Sequence, residues 1–160
     1  MTSAPFQPQT LDRIGIARRI PHSGTMCLLD GLRAWDAEAI HCTATSHADA
    51  DNPLRTASGL LASNLIEYAA QAMALHGGLL APPDAAPSAG FLASARNVRF
   101  AVARFDDVAG ELHVHARRLS GDAQQILYAF VVRDADDRSL GEGRAVVVLN
   151  RAVPDPSTPK

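Results

Sequence analysis

The feature that most limits how this chain can fold is one long, apolar helix flanked in sequence by strands. Residues 60–80 place apolar side chains on nearly every helical face, interrupted by Asn64, Glu67, Gln71 and His76. A helix that is apolar almost all round has to be covered on most sides. An antiparallel sheet that curves around the helix would provide this cover.

Strand-like segments lie on both sides of the helix. Two precede it and four follow it, after a proline-rich link, and they show the alternation of β-branched or aromatic residues typical of strands. The predicted strands span residues 26–35, 39–47, 91–105, 111–119, 125–133 and 143–150. This order is an α+β pattern. It indicates the hot-dog fold, an antiparallel sheet wrapped around one long central helix, which commonly dimerises.

The length of 160 residues is typical of one domain, so a single hot-dog domain is predicted over residues 1–160. Residues 1–9 and 153–160 contain prolines and little pattern, and we expect both termini to be loose. Thr10 is expected to cap a short helix that reaches about Ala17.

Composition argues against several partners and locations. The net charge is −2, so the strongly basic face that nucleic-acid binding requires is not expected. No window approaches the roughly 18 apolar residues of a membrane span, and the start of the chain does not resemble a signal peptide. We therefore expect a cytoplasmic protein in which Cys27 and Cys42 are buried free thiols.

Asn64, Glu67 and Gln71 form a polar stripe, because residues three and four positions apart share one face of a helix. A carboxylate on a buried helix costs free energy unless it is paired or used. Burial favours its protonated form, which would make Glu67 a general acid near neutral pH. The alternative is that the stripe simply faces solvent, and periodicity alone leaves both interpretations open.

Three segments resemble, in order, the bacterial 3-hydroxyacyl-acyl-carrier-protein dehydratases. Residues 67–71, E-Y-A-A-Q, resemble their E-x-x-A-Q helix signature. Residues 20–30, I-P-H-S-G-T-M-C-L-L-D, are similar to their entry segment L-P-H-R-x-P-x-L-L-x-D. Residues 51–54, D-N-P-L, look like their N-E-P-F stretch. The resemblance implies a substrate carried on the phosphopantetheine of acyl carrier protein, no other cofactor, and a trans-2-enoyl product.

The chain differs from those dehydratases in the segment where the dehydratases have their catalytic histidine. In those dehydratases G-H-F-P-G-x-P-x-x-P-G precedes the helix, whereas residues 55–63 here are shorter and contain no histidine. The pattern instead resembles the short dehydratase-like proteins encoded with aryl polyene biosynthesis, which also have P-H-x-x-x-M-x-L-L-D, D-N-P and E-Y-x-A-Q. We expect a homodimer, or a heterodimer with a related hot-dog dehydratase.

His22 is the expected catalytic base, because it lies in a turn before the first strand and histidine changes charge near neutrality. The alternative is a turn histidine that bonds the backbone. His47, at a strand end, is the second candidate, and His76 would act as a cation that favours the helix dipole. His113 and His115 share a strand face, but no Asp, Glu or Cys completes a recognisable metal site, and no metal is expected.

Four residues of the helix and its start, and one of the entry segment, are expected to bind substrate. The backbone N–H groups at a helix N-terminus can polarise a thioester carbonyl. The predicted substrate-binding residues are Asn64, Gln71, Ser63, Ala62 and Met26.

Three functions stay open from the sequence. The first is a dehydratase that acts through Glu67 and His22. The second, suggested by the missing loop histidine, is a non-catalytic partner subunit of a heteromeric dehydratase. The third is a hot-dog acyl thioesterase in which Glu67 activates water or attacks the thioester. Arg55 and Arg96 could bind phosphopantetheine or an acidic carrier protein through their positive charges. Asp30 is expected to cap a nearby turn or to pair with a neighbouring group.

Overall fold

The computed structural model describes residues 7–82 and 90–149, which form one antiparallel sheet around one long helix. The elements are β1 (Leu11–Asp12), α1 (Arg13–Ala17), β2 (Gly31–Trp35), β3 (Ala39–Ala44), α2 (Leu65–Leu80), β4 (Gly90–Phe100), β5 (Leu112–Gly121), β6 (Gln125–Arg133) and β7 (Ser139–Leu149). The strand order is β1-β2-β3-β5-β6-β7-β4, and every pairing is antiparallel. This is the hot-dog arrangement expected from the sequence.

Helix α2 packs on the inner face of the sheet, against β3, β5 and β6. Nine of its 16 residues are buried, and they lie on several sides of the helix. Leu65 and Leu75 are completely inaccessible to solvent. Each fully buried leucine side chain contributes about 1.5–3 kcal/mol relative to an exposed one. This burial explains why the helix forms although Gly77 and Gly78 disfavour it.

The central strands alternate between the core and the outer face. In β5 the side chains of Leu112, Val114 and Ala116 are buried, whereas His113 and His115 between them are only half-buried. The same alternation continues in β6. Since successive side chains of a strand point to opposite faces, the hydrophobic residues meet α2 and the histidines lie on the outer face.

Both helices begin later than the sequence predicted. Asp12, not Thr10, caps α1, because its carboxylate accepts a hydrogen bond of 2.9 Å from the backbone N–H three residues later. Helix α2 begins at Leu65 rather than at Leu60. The N–H of Leu60 donates instead to the Asp106 carboxylate over 2.9 Å, and Leu61, directly before the 3₁₀ turn Ala62–Asn64, is extended.

The strands differ from prediction mainly at their ends. β2 starts at residue 31 rather than 26, because Gly24–Met26 form a single 3₁₀ turn. β3 ends before a second such turn, Ser46–Ala48. β4 ends at Phe100 rather than at Phe105, whose N–H bonds the Leu60 carbonyl over 3.0 Å. The chain thus leaves the sheet there and covers the start of α2.

Strand β4 forms one edge of the sheet and, within the described residues, pairs with β7 alone. β7 begins at Ser139, earlier than the predicted residue 143. Its Gly141 leaves room for the ring of Phe100, which a Cβ atom would approach to 3.0 Å. Most β4 side chains are exposed, so this edge is open on both faces.

The predicted loose terminus at 153–160 lies outside the described residues, as do residues 1–6 and most of the proline-rich link. Residues 7–9 are described, and the indole N–H of Trp35 donates to the Pro8 carbonyl over 2.8 Å. Cys27 and Cys42 are buried free thiols, and burial raises the pKa of Cys42 to about 12. Among the helices of residues 7–82 and 90–149, none is long and apolar enough to cross a membrane.

Candidate active site

The side chains of His22 and Glu67 meet at the first turn of α2. The Nε2 atom of His22 lies 3.1 Å from Oε1 of Glu67, and the two side chains are 26% and 32% exposed. Glu67 lies in the first helical turn, and His22 lies in the entry segment that leads to β2. A single chain therefore brings together the two residues expected to form the catalytic pair.

The amide of Gln71 fixes the entry segment against the helix. Its Oε1 accepts a hydrogen bond of 2.9 Å from the Leu28 N–H, and its Nε2 donates to the Met26 carbonyl over 2.6 Å. The same Nε2 lies 3.4 Å from Glu67 Oε1. Gln71 is completely buried. Its amide is occupied by protein groups, so the geometry gives Gln71 a positioning role rather than the expected contact with substrate.

A second buried network holds the other side of the entry segment. Asn52 donates to the Tyr68 hydroxyl over 3.1 Å, and that hydroxyl lies 2.8 Å from Ser46 Oγ. Ser46 in turn donates to the Leu28 carbonyl over 2.7 Å, so Tyr68 donates to Ser46. Burial raises the pKa of Tyr68, which keeps its hydroxyl neutral.

Tyr68 and Ser46 were not predicted as parts of the site. The available signal was the position of Tyr68 directly after Glu67, together with Asn52 in the D-N-P stretch. No motif marks Ser46, because its role is a hydrogen bond to the backbone carbonyl of Leu28, in a distant part of the chain.

The start of α2 supplies two polar side chains near Glu67. Ala62, Ser63 and Asn64 form a 3₁₀ turn directly before the helix. The N–H of Ala62 donates to the Ala103 carbonyl over 2.9 Å, and Ala62 is buried, so it offers no donor to a substrate. Ser63 is exposed and Asn64 half-buried. Met26 is half-buried and its carbonyl is occupied, which leaves its side chain for contact.

Two other candidate histidines are buried in structural roles. His47 is 1% exposed, and its Nε2 lies 2.9 Å from the Val108 carbonyl. His76 is completely buried, with Nε2 2.8 Å from the Asp36 carbonyl and Nδ1 2.8 Å from the Tyr128 hydroxyl. Burial lowers the pKa of His76, which favours its neutral form. The prediction of a cation at the helix end was therefore wrong.

His113 and His115 are joined on the outer face by His41. The Nε2 of His41 lies 2.9 Å from Nδ1 of His113, and its ring stacks on that of His115 at 4.2 Å. Burial, with smaller effects of the neighbouring His115 and His113 charges, lowers the pKa of His41 to about 4. Within the described part of the chain, no group of three His, Cys, Asp or Glu residues has a geometry suited to a metal.

The remaining charged candidates divide between loop support and exposed surface. Arg55 pairs with Asp106 at 3.5 Å and also donates to two loop carbonyls, so it stabilises the loop before α2. Arg96 is exposed on β4. Asp30 pairs locally, as expected, since its carboxylate accepts hydrogen bonds from the Thr45 N–H and from the Thr45 hydroxyl.

Solved structures of known proteins resemble this chain over most of its length. The dehydratase heterocomplex ApeI:P from Xenorhabdus doucetiae matches with 24% identity and a TM-score of 0.76, over 85% of this chain and 91% of that one. A thioesterase from Haemophilus influenzae matches with 11% identity and a TM-score of 0.63, over 88% and 92% of the two chains. A thioesterase from Staphylococcus aureus matches with 10% identity and a TM-score of 0.58, over 75% and 92%.

At these identities the structural matches establish the hot-dog fold alone. No curated protein matches the chain. The model of the ApeP-like family, described as ApeP dehydratase, matches residues 14–154. This span includes the entry segment, all of α2 and every strand from β2 to β7. The chain therefore belongs to the ApeP-like dehydratase family.

Proposed function

We propose that this protein removes water from 3-hydroxyacyl thioesters of acyl carrier protein and yields trans-2-enoyl products, in fatty-acid-like or aryl polyene biosynthesis. The observation that carries the proposal is the contact of 3.1 Å between His22 and Glu67 in a chain of the ApeP-like dehydratase family. No further cofactor is proposed, because the phosphopantetheine arm of the carrier protein delivers the substrate.

The chemistry requires two proton transfers. The proton on the carbon next to the thioester must leave, and the hydroxyl must gain a proton to depart as water. A positioned acid or base typically accelerates such a step by about 10²–10⁴-fold. The contacting pair of His22 and Glu67 is proposed as the site that serves these transfers. Ser63 and Asn64, one helical turn before Glu67, are proposed to orient the acyl thioester together with Met26.

We propose that the active assembly contains a second hot-dog chain, either a related dehydratase or another copy of this one. The ApeI:P relative is a heterocomplex, and the open edge of β4 offers a surface for such a partner. Phe91, Leu92 and Phe100 of this edge are 61%, 40% and 39% exposed. Exposed apolar side chains beside an unpaired strand edge are typical of a surface that another chain covers. We also propose that this assembly binds acyl carrier protein and that it works in the cytoplasm.

Two alternative functions predict different results in one assay. A non-catalytic partner subunit is motivated by the absence of histidine from residues 55–63, and a thioesterase would use Glu67 to activate water. The test is incubation of the purified protein, alone and with a related dehydratase, with a 3-hydroxyacyl carrier protein. Enoyl product that depends on Glu67 supports the proposal. Free 3-hydroxy acid identifies a thioesterase, and enoyl product unaffected by Glu67→Gln identifies a non-catalytic subunit.

A further inference from the structure

We infer that Glu67 performs both proton transfers through its Oε2 atom, and that His22 is a positioning residue that holds Oε1. This inference rests on the proposed function and assigns the roles within its site. It differs from the roles expected from the sequence, in which His22 is the base and Glu67 the acid.

The two ring nitrogens of His22 are both unavailable to a substrate. Nε2 lies 3.1 Å from Oε1 of Glu67, which is a hydrogen-bond distance. Nδ1 is enclosed by the protein and, within the described residues, has no hydrogen-bond partner. A general base needs a lone pair within hydrogen-bond reach of the proton that it removes. The buried Nδ1 cannot meet a thioester, and Nε2 is engaged by Glu67.

The two oxygens of Glu67 differ in their surroundings. Oε1 receives the His22 ring nitrogen at 3.1 Å and the Gln71 amide nitrogen at 3.4 Å. No hydrogen bond from residues 7–82 or 90–149 reaches Oε2. The Glu67 side chain is 32% exposed, so it is within reach of a ligand, and Oε2 is the oxygen without a partner in the described residues. A carboxylate with one oxygen held and the other open has a fixed orientation and a lone pair directed outwards.

One open oxygen is sufficient for the complete reaction. Oε2 takes the proton from C2 of the 3-hydroxyacyl thioester, and the electron pair of that C–H bond becomes the C2=C3 double bond. The C3–O bond breaks, and the leaving hydroxyl receives the same proton from Glu67 and departs as water. Glu67 returns to its carboxylate form, and no other reactant is consumed. His22 keeps the carboxylate oriented throughout.

The experiment compares three substitutions of His22 in the complete protein, with whatever partner chain its activity requires. His22→Gln places an amide N–H where Nε2 lies, so it keeps a donor for Oε1 but cannot act as a base. The asparagine of His22→Asn is also polar, but its side chain is one carbon shorter than glutamine and does not reach Oε1 of Glu67. His22→Ala removes the donor altogether. Enoyl formation is measured with a 3-hydroxyacyl carrier protein, and melting temperatures identify variants that fail to fold.

The expected result is that His22→Gln keeps kcat within about tenfold of the wild type, while His22→Asn and His22→Ala lose at least about 10²-fold, the scale of a positioned acid–base group. Glu67→Gln is expected to lose at least as much as either. A folded His22→Gln variant as inactive as His22→Ala overturns the inference and makes His22 the base. A wild-type protein that forms no enoyl product with any partner overturns the proposed function and the inference together.

A second measurement, chemical rescue, has an arm on Glu67→Ala that does not depend on the folding of the His22 variants. Formate added to Glu67→Ala supplies a carboxylate at the vacated position and is expected to restore enoyl formation at least tenfold. Imidazole added to the His22→Ala variant is expected to have no such effect. Recovery with imidazole alone would contradict the assignment of both transfers to Glu67.

Discussion

The side-chain oxygen of Gln71 accepts a hydrogen bond of 2.9 Å from the backbone N–H of Leu28, a residue 43 positions away in the chain. The amide nitrogen of the same side chain binds the Met26 carbonyl. Gln71→Leu keeps a similar volume but leaves both backbone groups without this partner inside the protein. An unsatisfied buried polar group costs about 1–3 kcal/mol.

We therefore expect Gln71→Leu to lower the free energy of unfolding by about 1–3 kcal/mol for each of the two groups, as measured by urea denaturation. Enoyl formation should fall as well, because the entry segment that carries His22 loses its attachment to α2. Ser63→Ala, at an exposed position, is the stability control, and a shift of similar size there would contradict this explanation.

The second prediction concerns Gly59, which has a positive φ of 88°. A Cβ atom at this position would clash with the carboxylate of Asp106. Gly59→Ala therefore strains the backbone and displaces the acceptor that holds the Leu60 N–H. We expect a loss of about 1–3 kcal/mol in stability.

Gly77→Ala is the matched control for Gly59→Ala, since a Cβ atom at position 77 would meet nothing within 4 Å apart from the neighbouring backbone of its own helix. In the middle of a helix this change is expected to be neutral or to stabilise by up to about 1 kcal/mol. Thermal melting of both variants checks the pair. Equal destabilisation by the two substitutions would show that the clash at position 59 does not matter.

The third prediction is a loss of stability in mild acid. The pKa of His41 is lowered from 6.5 to about 4 in the folded protein, mainly by burial. Between these values the unfolded chain binds more protons than the folded one, so stability falls as the pH decreases through this range. Burial also lowers the pKa of His76 and of His115, which adds to the same effect.

The urea midpoint should thus decrease between pH 7 and pH 5, and it should decrease less in His41→Gln than in the wild type. The charged and titratable groups near His41 are His113, His115, Arg33 and Glu111, and the substitution leaves them in place. An identical pH dependence in both proteins would remove His41 as a source of the effect.

The fourth prediction tests the partner surface proposed at β4. Phe91 on β4 and Ile14 on α1 are exposed to nearly the same extent, at 61% and 63%. Phe91→Lys places a charge on the proposed interface and is expected to weaken association by at least tenfold, because a desolvated, unpaired charge is costly. Ile14→Lys should leave association unchanged. Light scattering and co-purification with a related dehydratase measure both effects, and weakening by Ile14→Lys alone would locate the interface elsewhere.

The fold could be predicted because its signals are local. The periodicity of residues 60–80 identified the helix, and the alternation in β5 and β6 identified strands with one buried face. Boundaries were less accurate because they depend on distant groups. The start of α2, for example, depends on the hydrogen bond from the Leu60 N–H to the Asp106 carboxylate. Asp106 comes after β4, far from the helix in the sequence.

The site was predictable only where a motif marked it. Glu67 was selected by the polar stripe of the helix and by resemblance, and His22 by its turn before the first strand and the ordinary chemistry of histidine. The structure places the two side chains in contact. The positioning role of Gln71 depends on backbone atoms of Met26 and Leu28, which have no signature in the amino-acid sequence. The role of His76 was misjudged for a related reason, because only the tertiary structure shows that the ring is buried against Tyr128.

Gln71 recognises the entry segment through main-chain atoms alone, and this has an evolutionary consequence. Substitutions at positions 26 and 28 leave those atoms in place as long as the path of the chain is unchanged. Any residue other than glutamine at position 71 loses a donor, an acceptor or the required reach. Among homologues we therefore expect an almost invariant glutamine at position 71, whereas position 28 should vary only among side chains that fit the core, in which Leu28 is completely buried.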